Sequence, residues 1–349
     1  MAYTTINKST ANFNTITWTG NASARSLTGV GHAPDLVWIK DRSEANGHAL
    51  FDKVRGVNKY ITTNQNIAEL DQPSSGYVSA FDSDGWSAVT GSSGYNNWNK
   101  SSNNYVAWNW KAGTAVSGNT TGSGSYKSYT GSVNTTSGFS IIKYTGNGTS
   151  GHTIPHHLGA VPEWILVKDL DAAVNWQMYH VSLGNTYTTE INITNAPFQS
   201  SSRWNNTTPS STVVTLGNGN NVNNNNTNYI MYAFTSKTGY SKFGSYVGND
   251  NNDGTFIYTG FKPTFVLIKK TNEAKNSFLH DDKRLGYNPS NSYVNGNLDA
   301  VEYAATDLDI VSNGIKMRST GGGHNDGNYI YVAFGQSIVG SNNIPATAR

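Results

Sequence analysis

The sequence predicts an all-β protein of three tandem, related β-sandwich domains with jelly-roll or Greek-key topology. An aromatic segment ending in Gly-Asn occurs three times, at residues 12–21, 138–147 and 239–249. Each is followed by a proline and an apolar run that ends in lysine, and an aromatic strand beginning Asn-Tyr closes each copy. Internal repeats of this kind define the architecture before any local assignment is made.

The apolar runs after the prolines are predicted to be central strands. Residues 36–39, 164–167 and 265–268 are apolar at successive positions, so both faces of each strand should be covered. The proline before each run fits this place, because proline cannot donate a hydrogen bond to a sheet and is tolerated where a strand begins.

The closing strands and the turns fit the same architecture. In the first closing strand, Val106, Trp108 and Trp110 share one face, as in a half-buried strand. Asp-Gly ending at Gly85 and Asn-Gly ending at Gly314 stand at matching places and favour two-residue hairpin turns. Many short strands with close turns and no helical periodicity indicate sandwiches.

The spacing of these anchors places the domain boundaries. From the proline to the closing tyrosine, the three intervals are 66 to 71 residues long. The stretch after the first copy is rich in Gly, Ser and Thr and is either a flexible linker or an extended arm. Only Lys237-Thr238 separates the second copy from the third, which predicts that these two abut rigidly. We therefore divide the chain into copy 1 (1–111), the connecting segment (112–137), copy 2 (138–236), copy 3 (237–335) and a tail (336–349) that can act as a docking strand.

The composition argues against several classes of function. Charged residues make up 13% of the chain and the net charge is +2, whereas typical soluble domains are roughly 25% charged. Because no basic run is present, electrostatic binding of nucleic acid is not expected. Aromatic residues at 12% favour packed cores over disorder, and the absence of cysteine leaves neither disulfides nor thiolate metal sites.

An uncharged polar surface is typical of a β-rich extracellular or virion protein. The N-terminus has neither the basic nor the apolar region of a secretory signal. No apolar stretch approaches the ~20 residues that a membrane span needs. We therefore expect no membrane insertion, and a location in a virus particle that is assembled in the host cytoplasm.

No catalytic residues are predicted, and the protein is not expected to be an enzyme. One active site would break the repeat symmetry. The carboxylate pairs Asp82/Asp84 and Asp281/Asp282 stand at turn positions, where aspartate caps the backbone. Glycoside hydrolysis instead needs two carboxylates across a cleft. The chain also has no Gly-x-Ser-x-Gly motif, P-loop or dinucleotide fingerprint, and no cofactor is expected.

Two segments bear on metal binding, and neither predicts a site. His152, His156 and His157 form the densest group of potential ligands, but a site needs further ligands on an opposing strand, and a polar loop with incidental histidines is the preferred interpretation. The segment 249–254 resembles the opening of an EF-hand loop. The glutamate required at the twelfth position is Gly260 here, so a turn is preferred.

Three aromatic residues outside the repeated strands are candidates for ligand binding. Tyr95, Trp98 and Trp204 lie in segments rich in Asn, Ser and Thr. Aromatic faces beside amide groups suit sugars, through ring stacking and hydrogen bonds to hydroxyls. The alternative is that Trp98 and Trp204 fill the cores of their own domains.

Several separated motifs resemble a repeated domain of unknown function in structural proteins of marine tailed bacteriophages. The likeness covers nearly the whole chain and implies a non-enzymatic component of the particle. That family defines no functional residues to carry over, and its members often have glycine where His157 stands. The motifs are 239–246, 258–263, 104–113, 156–159 before Pro162, and 344–349.

These observations together predict a virion structural protein, most simply a tail fibre or tail-surface component that attaches to a host glycan or receptor. Repeated domains favour attachment by avidity. The alternatives are a capsid decoration or cement protein and a polysaccharide depolymerase. The expected partners are other virion proteins, a host surface molecule and further copies of the chain.

Overall fold

A computed structural model of the 349-residue chain describes residues 4–71, 76–91, 98–284, 288 and 292–337. This part is nearly all β, in several antiparallel sheets, which confirms the predicted all-β class. Within these residues, helix is limited to one 3-10 turn, Ser9–Ala11, and two helices of four residues each.

Copy 1 is a sandwich of two sheets. In its large sheet, the strands lie side by side in the order first, last, third and fourth. Its small sheet consists of the second strand and a hairpin that comes later in the chain. The remaining two strands form a short separate pair. The strands are β1 (Phe13–Thr19), β2 (Arg25–Thr28), β3 (Leu36–Asp41), β4 (Ala49–Asp52), β5 (Lys59–Tyr60), β6 (Leu70–Asp71), β7 (Tyr77–Asp82), β8 (Gly85–Val89) and β9 (Asn104–Trp110).

The connecting segment is ordered and belongs to the sheets of copy 2. It forms β10 (Thr114–Asn119), β11 (Thr121–Gly122) and β12 (Ser128–Asn134). β10 pairs with β12, and β12 pairs with the first strand of copy 2, while β11 pairs with its second strand. Tyr129 and Val133 on β12 lie in the core of copy 2. Because β pairing and side-chain burial fix the segment, it fits the extended-arm alternative for 112–137 better than the flexible linker.

Copy 2 repeats the strand order of copy 1. Its first, last, third and fourth strands form the large sheet in that sequence, extended at the first strand by the connecting segment. The elements are β13 (Phe139–Thr145), β14 (His152–Pro155), β15 (Trp164–Asp169), β16 (Gln177–His180), β17 (Tyr187–Thr188), β18 (Phe198–Gln199), α1 (Ser201–Trp204), β19 (Val213–Leu216), α2 (Asn220–Asn223) and β20 (Asn228–Phe234).

Copy 3 has the same order once more, with one additional strand after the fourth. Its elements are β21 (Ser241–Val247), β22 (Phe256–Tyr258), β23 (Phe261–Lys270), β24 (Ser277–Asp281), β25 (Tyr293–Asn295), β26 (Leu308–Val311), β27 (Gly314–Met317) and β28 (Asn328–Ser337).

The predicted hairpins are present, but glycine has another place in them. The two turn residues are Ser83-Asp84 and Ser312-Asn313, and Gly85 and Gly314 are the first residues of the strands that follow. A Cβ atom at either glycine would overlap a backbone carbonyl of the adjacent strand, β2 or β22. Glycine is required there because the neighbouring strand approaches closely.

The apolar strands are covered on both faces, as predicted, and the two covers differ. One face of each large sheet packs against the small sheet of the same copy and forms that copy's own core. The other faces of all three large sheets meet in one central core. In copy 2 the closing strand sends alternate side chains to the two sides, Tyr229, Met231 and Ala233 to its own core and Ile230, Tyr232 and Phe234 to the central core.

The central core has approximate three-fold symmetry. Trp110, Phe234 and Phe334 each occupy the last core position of their closing strand, and their rings are in mutual contact, with centroids 5.5 to 6.4 Å apart. Because all three copies contribute to this core, none of them buries its large sheet alone. The division into three independent domains stays a prediction.

Hydrogen bonds between the copies follow the same approximate three-fold symmetry. Trp108 Nε1 of copy 1 donates to Asp281 Oδ2 of copy 3 at 3.1 Å, and the Tyr232 hydroxyl of copy 2 donates to Asp52 Oδ2 of copy 1 at 2.7 Å. His180 holds the corresponding place in copy 2, and its Nε2 donates to a carbonyl of β28 in copy 3 at 3.1 Å. Each copy thus contacts the next through the end of a fourth strand.

The lysine that ends each apolar run is buried against backbone carbonyls. Lys40 Nζ donates to the Asp299 carbonyl of copy 3 at 3.0 Å, and Lys269 Nζ donates to the Thr194 carbonyl of copy 2 at 3.0 Å. Lys168 Nζ bonds carbonyls of its own copy. Burial lowers the pKa of all three ammonium groups to about 8. The repeated lysine therefore has a structural role.

Candidate functional site

The predicted aromatic residues do not form a ligand site in the structure. Tyr95 lies outside the described residues. Trp98 and Trp204 are only 1% and 0% exposed, in the separate cores of copy 1 and copy 2. Trp98 packs against Trp86 and Trp204 against Tyr179, with ring centroids 6.3 and 5.9 Å apart. Neither indole offers a free face for stacking on a sugar, so their prediction as binding residues is corrected in favour of the core alternative.

The three histidines of segment 152–157 make separate hydrogen bonds. His152 lies between Asn223 Oδ1 and Thr120 Oγ1, at 2.8 and 2.7 Å, and His157 Nε2 lies 2.8 Å from the Tyr129 hydroxyl. Burial lowers the pKa of His156 to about 4. Among the residues that the structure describes, no three His, Asp or Glu side chains are grouped so that they could hold a metal ion.

The aspartate pairs act on the backbone and on arginine. Asp84 accepts hydrogen bonds from the backbone N–H groups of Gly29 and Gly31. Asp281 is buried and pairs with Arg284 at 2.7 Å. Burial raises the pKa of the adjacent Asp282 to about 6. Asp281 Oδ1 also accepts from the Lys283 and Arg284 backbone N–H groups, so Asp84 and Asp281 have the capping roles expected from turn positions.

A buried asparagine in each copy explains why Gly-Asn recurs. Asn99, Asn223 and Asn325 each accept a hydrogen bond from the backbone N–H of the Gly-Asn asparagine, at 2.9 to 3.2 Å. Their amide groups donate to carbonyl or amide oxygens of the same loop ends. The buried asparagine therefore links the Gly-Asn segment to the loops at one end of each sandwich by hydrogen bonds.

One exposed apolar surface stands apart from this shared framework. Phe256 and Tyr258 lie on the outer face of β22 and are 46% and 52% exposed. The inward Ile257 between them is buried in the core of copy 3. We call Phe256 and Tyr258 the aromatic face.

The rings of the aromatic face are held in place by their neighbours. Phe256 lies over Gly314, where an added Cβ atom would come within 3.0 Å of the Phe256 ring. Lys242 Nζ donates to the Tyr258 carbonyl at 2.7 Å and lies 5.3 Å from the centroid of the Tyr258 ring. Because both rings are already held in place, binding of a ligand would cost little side-chain conformational entropy.

The other copies show that the fold does not require these aromatics. The strand pairings align Leu27, Ile154 and Ile257 as the inward residue of the second strand. The outward neighbours are Ser26 and Thr28 in copy 1 and Thr153 and Pro155 in copy 2, against Phe256 and Tyr258 in copy 3. In copy 2 the strand is also covered by β11 of the connecting segment. An exposed aromatic pair that the fold does not need marks a candidate interaction site.

A family model described as a domain of unknown function (DUF7483) matches residues 8–337. The chain belongs to the DUF7483 family. The DUF7483 match spans all three copies and the connecting segment as one unit, which agrees with their shared central core. No curated protein and no solved structure matches this DUF7483 chain. Within the described residues, its helices are all too short to cross a membrane.

Sequence reasoning missed Phe256 and Tyr258, although a signal for them was present. Both residues lie between the third aromatic repeat segment, 239–249, and the proline that precedes the apolar run, Pro263. Comparing the outward positions of those strands across the DUF7483 copies would have shown aromatics in copy 3 alone. Tyr95, Trp98 and Trp204 lie in polar segments of the sequence, but the fold buries Trp98 and Trp204.

Proposed function

We propose that this DUF7483 protein is a structural component of a bacteriophage particle, carried on the tail, that binds a host surface glycan through the aromatic face of copy 3. The observation that supports this best is the exposed, anchored pair Phe256 and Tyr258 on a framework that does not require them. Flat aromatic rings stack on the apolar faces of sugar rings. The resemblance to phage structural proteins supports the particle assignment.

The three-fold central core supports a place on a particle in a second way. Trp110, Phe234 and Phe334 make within one chain the kind of contact that a trimer makes between chains. This arrangement also suits a capsid decoration protein seated at a three-fold position, which is the second candidate. Assembly into larger homo-oligomers and contacts with other virion proteins remain parts of the proposal.

Copy number and location in purified virions test the particle assignment. Quantitative mass spectrometry with immunogold labelling should find a few copies per virion, at the tail. Hundreds of copies over the head would favour decoration, and absence from the virion would contradict both candidates.

Binding to host cells tests the aromatic face. The double variant F256S/Y258T installs the residues of copy 1 and should lose binding, whereas Tyr126→Ser removes another exposed tyrosine, 65% exposed, and should retain it. Equal binding by both variants would remove the aromatic face from the proposal.

A further inference from the structure

The aromatic face also carries an uncompensated positive charge. We infer that its ligand is an acidic polysaccharide whose sugars bear carboxylates, with the pyranose rings on Phe256 and Tyr258 and a carboxylate on Lys242. This inference rests on the proposed function and names the class of glycan.

Lys242 is placed to receive an anion. Its ammonium group is fixed beside Tyr258 by the hydrogen bond to the Tyr258 carbonyl and by the contact with the ring. A lysine ammonium has three donors, and the carbonyl takes one of them. The ammonium group lies over the Tyr258 ring, so its remaining donors are within reach of the substituents of a sugar bound beside that ring.

The neighbouring cations are already neutralised. Lys316 pairs with Asp253 at 2.7 Å, and Arg318 pairs with Asp309 at 2.5 Å. Lys242 makes no ion pair in the part of the chain that the structure describes. The aromatic face therefore presents a positive charge that an anionic ligand would complement, and charge complementarity favours the correct partner while it disfavours others.

The strand geometry fits a polymer better than a single sugar. Outward residues two apart on a strand are separated by roughly 6.6 Å, so each ring can contact its own sugar. β22 is the outermost strand of its sheet, in the order β22-β27-β26. The equivalent strand in copy 2 is covered by β11, but no described strand covers β22, so a chain of sugars has room to run along it.

The full-length protein can be tested by calorimetry with oligomers of alginate, a polyuronate, beside a neutral galactan and a sulfated galactan. We expect alginate to bind and the neutral galactan to bind at least tenfold more weakly. Lys242→Met keeps the apolar stem on the ring and should weaken alginate binding about tenfold, which is the effect of losing about 1.4 kcal/mol. Lys53→Met removes another exposed lysine and serves as the matched control.

Each other outcome is decisive. Equal binding of neutral and acidic glycans, with Lys242→Met like the wild type, would overturn the acidic assignment and leave glycan attachment intact. Preference for the sulfated galactan would show that the anionic group on the ligand is a sulfate and not a carboxylate. Binding to host cells through Phe256 and Tyr258 without binding to any glycan would refute the glycan class, and failure to bind host cells would refute the proposed function itself. Unchanged thermal unfolding of each variant establishes that it is folded.

Discussion

At the scale of single residues, the buried asparagines are the part of the repeat that tolerates least change. Asn223 uses all of its hydrogen-bonding groups. Its amide donates to the carbonyls of Thr149 and Gly217, and its oxygen accepts from the Asn147 backbone and from His152. Such a residue is costly to replace because each partner is then left unpaired in a dry environment.

Asn223→Leu should therefore lower the free energy of unfolding by about 3 kcal/mol, since buried partners left without hydrogen bonds cost 1–3 kcal/mol each. Denaturant unfolding followed by tryptophan fluorescence measures the change. The exposed neighbour Asn225→Ala should stay within about 0.5 kcal/mol of the wild type. Equal effects of the two substitutions would show that the hydrogen bonds of Asn223 do not stabilise the fold.

Two buried histidines at the contacts between copies predict acid sensitivity. His48 Nδ1 accepts from Trp38 Nε1 at 2.8 Å while its Nε2 donates to the Asn295 carbonyl, so the ring is neutral. His180 Nδ1 similarly accepts from the Ser182 backbone N–H. Burial lowers the pKa of His48 to about 3 and that of His180 to about 4.

The sign of the pH dependence follows from these pKa values. Between pH 6.5 and about 4 the unfolded chain binds protons that the folded chain does not, so the free energy of unfolding falls as the pH falls. At pH 5 each histidine should cost up to about 2 kcal/mol relative to pH 7. Urea unfolding at pH 7 and pH 5 measures the loss, and H48Q/H180Q should reduce it. The exposed control His157→Gln should leave most of it in place, and an equal loss in all three proteins would contradict the assignment.

At the scale of elements, the sequence predicted the strands whose pattern is local. Alternating and two-faced apolar runs identify β3, β9 and their equivalents because burial of those side chains follows the strand period. The connecting segment could not be assigned in this way. Its Gly, Ser and Thr residues carry little apolar pattern, and β10 is almost wholly exposed. What fixes it is the edge of β13, which the sequence of the segment does not reveal.

Hydrogen exchange tests the order of the connecting segment. Backbone amides of β12, which lies between β10 and β13, should be protected to an extent similar to those of β13. The exposed turn 124–126 should exchange rapidly and provides the internal control. Complete exchange of β12 within seconds would restore the flexible-linker interpretation.

At the scale of the whole molecule, the sequence predicts strands that are buried on both faces, but it does not show what packs against the second face. Sequence shows that Trp108 or Tyr232 is apolar and repeated, but it does not show that the face meets another copy. For the same reason, the candidate site was misplaced. Whether Trp98 and Trp204 lie in a core or on a surface depends on sheet packing, to which their own neighbours in sequence give no guide.

The shared core predicts one cooperative unfolding transition for the described part of the chain. Phe234→Ala should lower the midpoint of that single transition, at a cost of about 3–5 kcal/mol, because its ring contacts both Trp110 and Phe334. Differential scanning calorimetry measures it, with the exposed Val301→Ala as the control. Three separate transitions, of which only one shifts, would show that the copies are independent domains.

The fusion of three copies into one chain has an evolutionary consequence. In a homotrimer of identical chains, every substitution is made three times, so a costly exposed aromatic pair would appear on all three faces at once. Here the copies mutate separately, and Phe256 and Tyr258 occur in copy 3 while Ser26 and Thr28 hold the same places in copy 1. A single gene can thus keep two copies for stability and let the third diversify under selection.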